Sequence, residues 1–447
     1  MRSAEQLLAF AERLASVEEV ECVTPDLNGI ARGKTMTAES FLAGRRLQMA
    51  RGVLLQCVMG GYPPPRFYGG DDGDLLLCSD PCQVHVLPWG TPGRALAICD
   101  ALELDGRPCA LSTRGLLRGV LEQYAQLGLT PVVATELEFF VFAANPDPHQ
   151  PFQPPVGLDG RREIGTSAFG VGSAHGLRPF FAAVYRCMAA LGLPRDTFMH
   201  EMGISQFEIN FPHGDALRLA DQTFLFKHLL REVALEHGLL AVCMAKPLGG
   251  VPGSSMHIHQ SVLDADGRNI FSDARGAPSA AFGHFIAGLQ ATLAEFTALL
   301  APNVNAYQRL AQPCASPNNA CWAYDNRAAG LRIPASAPVD RRVENRLPGA
   351  DANPYLALAA SLGAGLHGLL VGRPPGPPVQ GQFAVPEALR LPTGMGEALH
   401  RLAHSQVAEA LFGREFIDGY LACKQLELAD FLAEITPWER RVLAAQV

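Results

Sequence analysis

The run PVVATELEFFVF, residues 131–142, limits the possible folds of this chain more than any other stretch. Val132, Val133, Phe139, Phe140, Val141 and Phe142 mark it as a buried strand, yet Glu136 and Glu138 lie inside it. Positions i and i+2 of a strand share a face, so both carboxylates point one way while Leu137 and Phe139 point the other. Burying one carboxylate is costly, and burying two like charges together costs more. Any fold that accepts this strand must bring compensating positive charge to one of its faces.

Three other stretches repeat the pattern. ISQFEINF (204–211) sets Gln206, Glu208 and Asn210 on one face, against Phe207, Ile209 and Phe211. SSMHIHQSV (254–262) does the same with His257, His259 and Ser261, and RRVENRLP (341–348) with Arg342, Glu344 and Arg346. Glu201 stands seven residues before Glu208. One such strand alone reads most simply as a solvated outer face. Four in one sheet would form a charged wall, whose five carboxylates repel unless cations sit among them. Carboxylate oxygens with one imidazole suit Mg²⁺ or Mn²⁺ better than Zn²⁺, although the HxH pair by itself would equally suit a zinc or iron site. Arg309, Arg327, Arg332, Arg342 and Arg346 supply the opposite charge. Arginines with paired divalent metals are what phosphoryl transfer requires, because its transition state spreads negative charge over oxygens. The sequence contains neither a GxxxxGK[ST] loop nor a kinase-type Gly-rich loop.

The chain's 447 residues allow two or three domains, and its 48% hydrophobic and 18% charged content is that of an ordinary globular protein. A net charge of −8 without a Lys/Arg cluster argues against a nucleic-acid partner. The eleven cysteines form no CxxC, and Cys57, Cys99 and Cys243 sit in apolar runs as core residues, which fits a reducing, cytoplasmic setting. Glu5 and Glu12 interrupt any signal-peptide stretch, so the N-terminus reads as an amphipathic helix through Leu7, Leu8, Ala11 and Leu14. The longest apolar run, 356–372, falls short of the roughly 20 residues of a membrane span. It reads as a core helix, and no membrane association is expected. GGDDGD (69–74) lacks the closing Glu of a calcium loop and reads as a plain turn.

Asn28-Gly29 predicts a hairpin within 17–35, and further strands are expected at 75–78, 82–89 and 94–104. They make a small α+β unit, with a boundary near 104–112 and a helix over 113–128 ending at Gly128. Beyond it, strands alternate with helices expected at 176–192, 217–237, 279–300, 353–371, 395–411 and 413–433. The expected division is 1–105 and 106–447.

TELEFF, HEMGISQFEINF, KPLGGVPGSSMHIHQS, NVNAYQRL, DNRAAGLRIP and RRVENRLPGADANPYLALAA, in this order, resemble the glutamine synthetase superfamily. DLNGIARGK near the start and ITPWE near the end extend the resemblance over nearly the whole chain. It implies an α+β fold: an N-terminal β-grasp domain, then a large catalytic domain built on an antiparallel sheet flanked by helices. It also implies a homo-oligomeric ring, hexamer or double-ring dodecamer, with active sites between neighbours. Glu138, Glu201 and Glu208 would hold one Mg²⁺ or Mn²⁺, and Glu136, His257 and Glu344 another. His259, Ser261 and Arg342 would contact ATP, Arg327 and Arg332 the transferring phosphate, and Arg309, Arg346 and the Gly253 backbone the substrate acid. Glutamate would be phosphorylated by ATP at its γ-carboxylate, and an amine nitrogen would then displace phosphate.

Three departures shape this expectation. The DGSS-like motif of glutamine-forming members, whose Asp binds ammonium, is absent from MGGYPPPRFYGGDDGD (59–74). Ala315 in QPCASPNN (312–319) stands where those members carry a flap Glu. Their Asn-Gly pair is here Pro252-Gly253. The first two changes remove charge and bulk from the ammonium pocket, as in the branch that joins glutamate to larger mono- or polyamines, in amine catabolism or detoxification. Ala315 and the 61–68 loop, with Tyr62, Phe67 and Tyr68, would supply room and an apolar wall. The alternatives are an ordinary glutamine synthetase using ammonia and a non-catalytic member of the superfamily. The intact set of six metal ligands weighs against the latter.

Overall fold

The computed structural model describes residues 14–311 and 316–447, so the expected N-terminal helix and Ala315 lie outside the described residues. Strands β1 (Glu19–Pro25), β2 (Ala31–Thr37), β3 (Leu47–Ala50), β4 (Asp74–Val86) and β5 (Arg94–Leu102) form a five-stranded sheet in the order β2-β1-β5-β4-β3. The β1–β2 turn is built by Asp26, whose carboxylate accepts the N–H of Asn28 and of Ile30 at 2.8 and 2.9 Å. Gly29 takes φ +73°, a left-handed conformation that suits glycine. The two strands expected at 75–78 and 82–89 are one, β4, whose register against β5 shifts between Ser79 and Val84. Pro81 lies in that interval and has no N–H for the ladder, so pairing lapses there while the chain runs on.

The second sheet contains β6 (Thr130–Ala143), β7 (Phe198–His200), β8 (Gln206–Asn210), β9 (Gly214–Asp215), β10 (Leu239–Val242), β11 (Met256–Leu263), β12 (Trp322–Tyr324), β13 (Leu331–Ile333) and β14 (Val343–Asn345). Its main path is β12-β13-β14-β11-β6-β8-β7, with β9 and β10 also pairing with β6. Every pairing is antiparallel except β12–β13. One face is greasy, as the alternation requires: Phe139 packs against Phe207 and against Phe226 of the helix Ala216–Glu236, with ring centroids 6.2 and 6.1 Å apart.

The helices Ala280–Leu300 and Pro354–Val371 cross at very short range. A Cβ on Gly288 would lie 2.2 Å from the Ala364 carbonyl oxygen, and one on Gly368 2.1 Å from that of His284. Among the described residues, Pro354–Val371 is the one helix long and apolar enough to cross a membrane, and 78% of that stretch is buried inside the fold. The helix expected over 395–411 is two, Met395–Ala403 and Gln406–Phe412. Ser405 breaks it, because its hydroxyl accepts the Ala408 N–H and caps a new helix.

Arg114, in the helix Thr113–Gln126, ties the two sheets together. Its guanidinium, 1% exposed, donates to both carboxylate oxygens of Asp221 at 2.9 and 2.8 Å, to Asp80 at 2.7 Å and to Asp100. Asp80 is on β4, Asp100 on β5 and Asp221 on the helix Ala216–Glu236.

Candidate active site

The charged strands are immediate neighbours, β14-β11-β6-β8, so their polar faces line one wall. Register sets the pairings: His257 lies opposite Glu136, Glu138 opposite Glu208, and Glu344 opposite both His259 and Arg332. The β14 strand is shorter than expected, with Arg342 and Arg346 just outside its ends. Glu201 follows β7, and its N–H bonds the Gln206 carbonyl at 2.8 Å.

A cavity of about 980 Å³ opens on this wall. Glu136, Glu138, Glu201, Glu208, His257 and Glu344 all line it, as do Gly253, Arg327, Arg332 and Arg346. His259, Ser261, Arg342 and Arg309 are not part of its lining. Within the chain the 61–68 loop does not reach it either, since Tyr68 is buried in the core and Phe67 packs against that core.

His257 Nδ1 and His259 Nε2 donate to the two oxygens of Glu136 at 3.0 and 2.9 Å. Arg342 Nε donates to His259 Nδ1 at 3.1 Å and so fixes its tautomer. The same logic leaves His257 Nε2 with a free lone pair, 3.9 Å from Glu138. Burial opposes the charge of Glu136, but the bonds from His257 and His259 outweigh it and hold that carboxyl well below the usual range. Burial likewise opposes Glu344, but nearby His257 and Arg346 keep it low. Glu344 accepts from Arg332 at 2.6 Å and from Arg346.

The other half of the wall is under-compensated. Burial and the Glu201 charge push Glu138 up to about 8, and burial with Glu138 pushes Glu208 up to about 10. Glu138 is held by the Ser255 N–H at 2.9 Å and the Gln206 amide at 3.2 Å. Ser255 and Gln206 are site residues that sequence reasoning did not assign, although Gln206 shares the face of Glu208. Arg309 is buried behind the wall, donating to Ser255 Oγ at 3.0 Å and to the Leu347 carbonyl, with its Nε unpartnered.

Five carboxyl groups against three guanidiniums leave the cavity lining short of positive charge. Ligand atoms of Glu136, Glu208 and His257 converge within 4.8 Å of one another, and so do those of Glu136, His259 and Glu344. Oxygen-rich donors with a single imidazole in each group fit hard divalent cations such as Mg²⁺ or Mn²⁺.

Such a wall, faced by Arg327 and Arg332, defines a protein that handles phosphate with divalent cations. Residues 110–443 match the family model of the glutamine synthetase catalytic domain. The chain belongs to the glutamine synthetase family and is an ATP-dependent carbon–nitrogen ligase. It is 31% identical to a glutamate–isopropylamine ligase of Pseudomonas sp., over 95% of this chain and 94% of the relative. It is 34% identical to a glutamine synthetase of Thermococcus kodakarensis, over 93% of each. A solved structure titled apo GmaS superposes with a TM-score of 0.83 at 28% identity, covering 98% of this chain and 99% of that one.

Proposed function

We propose that this protein joins the γ-carboxylate of glutamate to a primary organic amine rather than to ammonia. One observation carries the preference. Among the described residues, every carboxylate lining the cavity belongs to the metal-facing set, and much of the remaining wall is apolar, including Phe169, Met199, Met202, Phe383 and Val385. No acid remains there to bind ammonium, whereas an alkyl chain gains roughly 0.8 kcal/mol per buried CH₂. The relative named for isopropylamine supports the same branch. The chain matches glutamine synthetases at similar identity, so overall likeness does not decide the nucleophile.

In this reading Glu138, Glu201 and Glu208 hold one Mg²⁺ or Mn²⁺, and Glu136, His257 and Glu344 a second. When bound, these ions neutralise phosphate oxygens. Arg342, His259 and Ser261 contact ATP. Arg327 and Arg332 face the γ-phosphate, while Arg346 and Gly253 receive the carboxylates of glutamate and Arg309, buried behind the wall, backs them through Ser255. A γ-carboxylate oxygen attacks the γ-phosphorus, its bond to the β-phosphate oxygen breaks, and ADP leaves. The amine nitrogen then attacks the acyl carbon, the bond to phosphate breaks, and the nitrogen's proton passes to phosphate or solvent. The arginines steady the phosphate in both steps. The unit 1–105 is read as a β-grasp domain and 106–447 as the catalytic domain, in a cytoplasmic hexameric or dodecameric ring whose subunits complete one another's sites.

ATP-dependent phosphate release with glutamate and a panel of amines tests the reading. At least one primary organic amine should exceed ammonia in kcat/KM by ten-fold or more, about 1.4 kcal/mol. Ammonia proving the best nucleophile would return the protein to plain glutamine synthesis.

A further inference from the structure

A second cavity, about 630 Å³, adjoins the first around β7, the edge strand of the large sheet. Phe169 and Met199 line both cavities. Met199 lies opposite Glu208 in the β7–β8 ladder, at the end of the charged wall. Phe169 is 68% exposed and sits at φ +59°, a strained conformation for a non-glycine residue. Its N–H is bonded to the His200 carbonyl at 2.9 Å, which ties the backbone of this loop to β7 beside both cavities.

The far wall is aromatic and packed in place. Phe181 meets Phe198 with ring centroids 4.6 Å apart, and Tyr185 meets Phe198 at 5.7 Å. The polar side chains of the lining are His175, Arg178, His200 and the Tyr185 hydroxyl, with no carboxylate among them. The open face of Tyr185 is already covered by Arg195, 3.8 Å from the ring centroid. Glu163 lies just behind the lining, but its carboxylate is already bonded to His200 Nε2 at 3.1 Å, so a second ammonium group would meet the charge of Arg178 and Arg195 and find no unpaired carboxylate in the lining.

We infer that this pocket receives the hydrocarbon tail of the amine, and that it selects monoamines with alkyl or aryl tails over diamines and polyamines. Phe169 and Met199 form the sill across which the tail passes from the acyl-transfer site. The inference rests on the amine-ligase reading above and narrows its substrate class.

Butylamine and 1,4-diaminobutane have the same four carbons and differ only in the second ammonium, so their kcat/KM ratio isolates the pocket's charge preference. With the intact enzyme, ATP and glutamate, butylamine should exceed the diamine at least ten-fold. From ethylamine to butylamine the rate constant should climb about four-fold per methylene. Ala182→Glu, on the exposed side of the helix Arg178–Ala190, sets a carboxylate in the lining and should move the ratio ten-fold or more toward the diamine. Ala174→Glu, on the neighbouring turn, should move it in the same direction. If organic amines are substrates but the diamine equals or exceeds butylamine in the unmodified enzyme, the pocket assignment fails and amine ligation stands. If butylamine leads but neither variant shifts the ratio, the pocket assignment also fails. If only ammonia is used, or no amine is, both readings fall.

Discussion

Glu344 and Glu138 stand on the same wall, yet replacing each with Gln should affect stability very differently. Glu344 is fully buried and accepts from Arg332 and Arg346. In Glu344→Gln, Arg332 keeps Asp325 at 2.6 Å. Arg346, with a side chain 8% exposed, has no other ion-pair partner among the described residues, and its Nε is already unpartnered. Removing one partner of a buried pair costs about 3–5 kcal/mol, because a desolvated charge is left alone. Glu138 has no arginine or lysine in ion-pair contact, and its principal bonds come from neutral donors, the Ser255 N–H and the Gln206 amide. A glutamine oxygen can still accept from Ser255, and the repulsion from Glu201 and Glu208 disappears. Glu138→Gln should therefore cost no more than about 1 kcal/mol. Urea unfolding in EDTA, which keeps metal out of the comparison, should separate the variants by 2 kcal/mol or more. ATP turnover with metal restored should be abolished in both. Equal urea midpoints for the two variants would refute the charge accounting, and turnover in Glu344→Gln would refute its place in the metal site.

Activity should require Mg²⁺ or Mn²⁺, and full turnover in EDTA without added metal would remove the metal assignment. In Gly253→Ala the new Cβ would sit 2.2 Å from the Ala245 carbonyl oxygen and 2.7 Å from Arg309 Cγ. That clash should lower stability by about 1–3 kcal/mol and raise the KM for glutamate, and an unchanged KM would separate Gly253 from the substrate. Ala315→Glu should shift preference toward ammonia or inactivate the enzyme, read as the ratio of kcat/KM for ammonia to that for the best organic amine.

The charged wall was legible because period-two alternation is strict in four separate strands, and an ionisable residue in an apolar strand is a strong local signal. Which residue meets which was not legible, since register depends on the whole sheet. Nothing local in the sequence pairs Glu344 with His259 or Glu138 with Glu208. The edge-strand pocket gave no signal, because Phe169, Phe181 and Phe198 share no period or motif in the sequence and meet only when the loop and β7 come together. The break at Ser405 was hidden because apolar periodicity continues on both sides of it. The lapse in β4 was over-read as two strands because Pro81 looks like a terminator, although only its pairing is interrupted.

The Arg114 cluster bears on where this chain can be cut. The two sheets share no backbone ladder, which invites separate expression of 1–105 and 106–447. That division would leave Asp80 and Asp100 in one fragment and the guanidinium they hold in the other. The larger fragment would keep Asp221 but lose two of the three carboxylates around a buried cation, and the smaller fragment would carry two acids without the guanidinium that holds them. Breakpoints for chimaeras between family members are therefore better set beyond residue 126, so that the helix of Arg114 travels with the smaller sheet. Even then Asp221 must come from a parent whose own arginine stands at the same position.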